Sequence, residues 1–85
     1  MAFVRNLVYR QKLVKGIQAT VLATWTLAYE SGRPIIQIDT YGTAGRVLPG
    51  KSSQTLQFDE ESALELVRIC QRAYPGLLER ALEEE

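Results

Sequence analysis

The residues with the most obvious chemical potential are Gly45, Gly50, Lys51 and Ser52, spaced as Gly-x4-Gly-Lys-Ser. That spacing cradles nucleotide phosphates when the loop follows a strand and opens a helix, because the helix N-terminus supplies free amides. Here the loop leads into Ser-Gln-Thr-Leu-Gln-Phe, a strand-like run, so no nucleotide site is expected. Two readings of the loop remain open. It is a finger whose glycines let the backbone approach a phosphate while Arg46 and Lys51 supply charge, or it is a solvated hairpin tip. Asp39 sits alone on a strand-like segment with neither a histidine nor a second acid nearby, so no general acid–base pair is expected. A salt bridge to Arg10, Arg46 or Lys51 is its expected role. The chain has no histidine and a single cysteine, Cys70, which leaves no zinc ligand set and no internal disulfide. No catalytic residue, metal or cofactor is expected, and the chain does not read as an enzyme.

The elements that hold these residues belong to a small protein. Eighty-five residues make one domain, residues 1–85, and 46% hydrophobic content suits a folded chain. The lone cysteine fits a reducing compartment. No apolar run is long enough to span a bilayer and no signal peptide pattern is visible, so a cytoplasmic or nucleoid-associated protein is expected. The zero net charge conceals an asymmetry. Residues 1–58 carry seven basic side chains (Arg5, Arg10, Lys12, Lys15, Arg33, Arg46, Lys51) against two acidic ones, and residues 59–85 carry three basic against eight acidic. A basic half joined to an acidic half gives one side of the molecule an affinity for polyanions that the other lacks.

Side-chain periodicity predicts four strands and one main helix. Residues 3–14 alternate as a strand with a basic edge, although Val4, Leu7, Val8 and Gln11 also fit helical spacing; Lys15-Gly16 as a turn favours the strand. From Ile17 to Glu30 every second residue is apolar and the others are mostly threonine, glutamine or alanine, as in a long antiparallel strand with one wet face and a bulge near Leu22. Ser31-Gly32-Arg33-Pro34 is a turn. Ile36 and Ile38 then point inward, with Gln37, Asp39 and Tyr41 outward, and the strand ends at Gly42. After the loop from Gly42 to Ser53, Leu56 and Phe58 point inward, with Thr55 and Gln57 outward. Asp59 caps a helix that carries Ala63, Leu66, Val67, Cys70, Ala73 and Tyr74 on one stripe, widened by Leu64 and Ile69, and Pro75-Gly76 stops it. Residues 77–85 suit a short second helix with an acidic end.

The outward positions share a surface in this reading: Arg10, Lys12, Thr20, Thr24, Thr26, Gln37, Tyr41, Thr55 and Gln57. Such a face suits a single nucleic-acid strand, with cations on phosphates, amides and hydroxyls on bases, and Tyr41 as a stacking platform. It suits an ordinary solvated sheet equally well. Trp25 falls on the apolar face, where it packs against the helix, unless the sheet curls and presents it to bases.

The run from Gly32 to Arg72, with Ile38-Asp39-Thr40-Tyr41, Pro49-Gly50-Lys51-Ser52 and Phe58-Asp59-Glu60-Glu61, resembles the strand, loop, strand and capped helix of the positive-cofactor-four family of transcriptional-coactivator-like, single-stranded-DNA-binding proteins. Thr40 stands where that pattern has an arginine, and Ser52 where it has a second loop glycine. The resemblance implies an α+β fold in which four antiparallel strands precede one helix (ββββα), a homodimer formed through the helices, and a sheet groove for unpaired DNA.

The expectation is therefore a small nucleic-acid-binding protein that takes single-stranded DNA, or RNA, with little sequence preference in transcription or replication. Its phosphate contacts are Arg5, Arg10, Lys12, Lys15, Arg33, Arg46 and Lys51, with Tyr41 and secondarily Trp25 stacking on bases. The rival expectation is a protein-interaction module, such as a phage or plasmid inhibitor or an antitoxin-like subunit. That module would meet its partner through the helical region at residues 60–82.

Overall fold

The structure is a computed structural model and describes residues 1–43 and 52–83. Four strands are present: β1 (Ala2–Val4), β2 (Val21–Glu30), β3 (Arg33–Thr43) and β4 (Gln54–Phe58). Two helices follow, α1 (Glu60–Ala73) and α2 (Leu77–Glu83). The strands form one sheet in the order β1-β4-β3-β2. The α+β class and the strand count match the expectation.

The sheet is mixed rather than fully antiparallel, which corrects the reading of the N-terminal segment. β1 pairs with β4 in parallel, with Ala2, Phe3 and Val4 opposite Leu56, Gln57 and Phe58. Its length follows from that partner. β4 ends at Phe58 and the chain turns into α1, so beyond Val4 a parallel strand has nothing left to pair with. Residues 5–20 consequently have no regular secondary structure, and no turn forms at Lys15-Gly16. β2 begins at Val21 rather than Ile17, with Val21 opposite Thr43. The bulge expected near Leu22 appears as a register shift between Val21 and Leu22.

β2 and β3 join through a two-residue turn in which Ser31 has φ 52° and Gly32 φ 79°. Both central residues are left-handed, the geometry whose twist matches that of a hairpin. α1 starts at an extended Asp59 (φ −87°, ψ −176°) whose Oδ1 accepts the Ser62 N–H at 2.9 Å. The Ser62 hydroxyl donates to the same carboxylate at 3.0 Å, so this fully buried side chain has its polar atom satisfied. Both bonds hold the Asp59 carboxyl below the usual carboxylate range, the Ser62 N–H contributing most. A depressed folded-state value stabilises the fold above the unfolded pKa, and that stability is lost as pH falls through the folded value. Asp59→Ala should therefore lower Tm at neutral pH. The gap from the native chain should close progressively in strongly acidic buffer, where the native carboxylate is itself protonated.

The packed core is small. Only Ile35 and Phe58 are buried apolar residues among those described. α1 leaves the end of β4 and lies over β4 and β3, against Ile36, Ile38 and Phe58. Its main contacts are with these two strands and not with β2. Trp25, expected to pack under the helix, lies on the predicted apolar face opposite Ile38 yet is 71% exposed. Leu27 and Tyr29 on the same face are also uncovered. The helix that should cover them covers the middle of the sheet instead.

Candidate nucleic-acid interface

Strand register puts Thr24, Thr26, Gln37, Asp39, Tyr41, Thr55 and Gln57 on the face opposite α1. Thr24 lies opposite Asp39, Thr26 opposite Gln37, Thr55 opposite Asp39 and Gln57 opposite Gln37. Cross-strand partners share a face, so alternation along three strands gathers these side chains into one polar surface. Four of them form a hydrogen-bonded chain, and two more form a separate pair. The Gln57 amide donates to Gln37 Oε1 at 2.9 Å, and the Gln37 amide donates to both Asp39 oxygens at 3.3 and 3.1 Å. The Thr55 hydroxyl donates to Asp39, and the hydroxyls of Thr24 and Tyr41 are bonded at 3.1 Å. Ser52 touches Thr55 and Ser53 touches Thr40 where β4 begins.

Asp39 sits at the centre of this lattice. Its described partners are Thr55 and Gln37; of the expected cations Arg10 is not one of them, and Arg46 and Lys51 lie outside the described residues. The two bonds keep its carboxyl below the ordinary range, the Thr55 bond contributing most. It is ionised at neutral pH. A fixed carboxylate repels a phosphate but accepts hydrogen bonds from exocyclic amino groups such as cytosine N4. The strand face therefore offers acceptors to amino groups, and none of its side chains named above is a cation for an anion.

The cations are spread unevenly. Arg10, Lys12 and Lys15 lie in the exposed 5–20 segment, not on the strand face with Thr24 and Tyr41, and Thr20 lies outside the sheet with them. Arg5 is placed over the Phe3 ring, 4.8 Å from its centroid, and 3.9 Å from Asp59. Arg33 lines a hollow of about 830 Å³ beside Arg5, Glu30, Asp59, Glu60 and Glu61, where carboxylates offset its charge. Arg46 and Lys51, together with most of the Gly-x4-Gly-Lys-Ser pattern, lie outside the described residues. Tyr41 is half-buried on the polar face, and Trp25 is exposed on the opposite one. The two aromatic residues do not converge on one site.

Two features were not anticipated from sequence. Ser62 is the buried partner of the cap, although a serine three residues after an aspartate was a signal for it. Gln37 and Gln57 form a side-chain ladder whose signal, two glutamines at outward positions of neighbouring strands, became readable only with the register. Among the described residues no group of three or more potential ligands could hold a metal, and no helix is long and apolar enough to cross a membrane.

Fold and site together define an α+β chain with a two-faced sheet, polar on one side and partly covered by helices on the other. No protein-family model, curated protein or solved structure matches this chain.

Proposed function

We propose that this protein binds single-stranded nucleic acid, DNA or RNA, as a homodimer with little sequence preference, and that it is a binder rather than an enzyme. The observation that carries the reading is the polar face of three strands, where a hydrogen-bonded chain of Gln57, Gln37, Asp39 and Thr55 lies beside the Thr24–Tyr41 pair and offers donors and acceptors to base edges. The positive charge of the 5–20 segment supplies the sequence-independent share of affinity, with Arg33, Arg46 and Lys51 as further phosphate contacts. The resemblance to the positive-cofactor-four pattern supports the same reading and, with it, a dimer involving α1 and a role in transcription or replication in the cytoplasm or nucleoid.

Replacing Tyr41 tests the polar face. Removal of a stacking aromatic typically costs about 1–3 kcal/mol per base. Tyr41→Ala should weaken single-strand binding by roughly ten- to a hundred-fold in anisotropy titrations, while Tyr41→Phe, which keeps the ring and loses the Thr24 bond, should bind nearly as well. Equal binding by the native chain and Tyr41→Ala would remove Tyr41 from the site.

A second reading is favoured by one observation. Leu64, Ile69 and Leu78 of the helices are 43–48% exposed, the expected surface of a protein-interaction module. In that case Leu64→Asp or Leu78→Asp would abolish function while removal of the arm cations would not.

A further inference from the structure

The molecule exposes far more surface than its size requires. Its accessible area is 7873 Å², where a compact monomer of this mass exposes about 5,100 Å². Its radius of gyration is 14.9 Å, against about 12 Å for a compact chain of this length. The excess, about 2,800 Å² per chain, is more than the roughly 1,000 Å² per partner at which obligate homodimer interfaces begin.

Two features stand out among the described residues. The first is the 5–20 segment. β1 and β2 are the two outer strands and run parallel, so this segment crosses three strand spacings, about 15 Å, and also returns along the length of the sheet. Along it Val8, Tyr9, Leu13, Val14 and Ile17 are 68–95% exposed. The second is an open groove of about 290 Å³ between the sheet and the two helices, lined by Ile36, Ile38, Leu66, Val67, Cys70 and Leu78 among others, with only apolar surface on its walls. The arm carries Arg10, Lys12 and Lys15 and has no carboxylate, while α1 and α2 carry five glutamates (Glu60, Glu61, Glu65, Glu79, Glu83) against three arginines. An arm backbone amide already meets this acidic surface, since the Leu7 N–H donates to Glu65 Oε1 at 3.0 Å. Past that point the arm leaves its own chain and its own groove stays open.

We propose that two copies of this chain exchange arms. Residues 8–17 of each copy lie along the apolar groove between the sheet and helices of the other, with their apolar side chains inward and Arg10, Lys12 and Lys15 left at its solvent-facing rim. Arm and groove are carried by the same chain and match in apolar character and in sign, so a two-fold exchange satisfies both surfaces at once and closes without leaving a free end. The proposal does not rest on nucleic-acid binding, and its test contains no nucleic acid.

Cys70 lies in the groove and serves as the reporter. The variants Val8→Cys, Leu13→Cys and Ile17→Cys should each be equilibrated in a glutathione redox buffer, alone and combined with Cys70→Ser, and analysed on non-reducing gels. The expected result is a disulfide-linked dimer for at least one arm position that disappears in the Cys70→Ser background. A disulfide within one chain, or no Cys70-dependent species at any position, would overturn the exchange. The native chain should also be dimeric by light scattering at micromolar concentration, and Val8→Asp/Leu13→Asp should be monomeric with an unchanged far-ultraviolet circular dichroism spectrum. A monomeric native chain, or a double variant that stays dimeric, would overturn it equally.

Discussion

The native chain binds a short fluorescent single strand at low salt, prefers it to the matching duplex, and loses affinity steeply as salt rises; this is the result expected from anisotropy titration. Its mechanism assigns the salt dependence to particular residues. A single strand releases about 0.7 counterion for each phosphate neutralised. If Arg10, Lys12 and Lys15 each neutralise one, replacing all three with alanine should flatten the slope of log K against log salt by about 2 and weaken binding to every sequence alike. All three side chains are exposed and outside the sheet, so their removal leaves the hydrogen-bonded lattice intact. A slope unchanged in the triple variant would place the phosphate path elsewhere, with Arg46 and Lys51 as the next residues to test. Preference for duplex would remove the base-edge role of the polar face altogether.

Phe58→Ala should prevent the isolated chain from folding under ordinary conditions. Truncating a buried phenylalanine costs about 3–5 kcal/mol, since the lost transfer energy is joined by the energy of the cavity left behind. A domain of this size has roughly that much stability in total. The effect is concentrated because so little is buried: Phe58 is 7% exposed and touches the groove beneath α1, and Ile35, the other buried apolar residue among those described, alternates with Ile36, the partner of Phe58, onto the opposite face. Urea titration followed by circular dichroism gives the readout. A Phe58→Ala midpoint close to that of the native chain would mean that the stabilising contacts lie at another surface.

The central part of the fold was legible because its signals are local. The alternation from Leu22 to Glu30, the Ser31-Gly32 turn, the inward Ile36, Ile38, Leu56 and Phe58, and the Asp59 cap each depend on residues close in sequence, and each appears in place. The N-terminal segment was not legible, because its structure is decided far away. Whether residues 5–14 form a strand depends on a partner, and β4 supplies one only as far as Phe58, more than fifty residues along the chain. Alternation describes which sides of a strand differ without saying which strand stands next to it. The polar face was legible for Thr24, Thr26, Gln37, Tyr41, Thr55 and Gln57, whereas Arg10, Lys12 and Thr20 lie outside the sheet. The bonds of Asp39 to Thr55 and Gln37 became readable only with the register. Trp25 was placed on the correct side of the sheet. Its lack of cover depends on where α1 crosses, and periodicity carries no information about that.

The parallel pairing of β1 with β4 also sets an order of events during protein synthesis. Ala2–Val4 leaves the ribosome before its partner Gln54–Phe58 has been translated, so it must wait while the intervening residues emerge and β2 and β3 close their two-residue hairpin. Closing that long loop carries a larger entropy cost than any other contact in the sheet. β1 is thus the first strand made and the last to dock. Its amides should exchange with deuterium faster than those of β3, and a bulky fusion placed ahead of Ala2 should slow maturation more than one placed after Glu83.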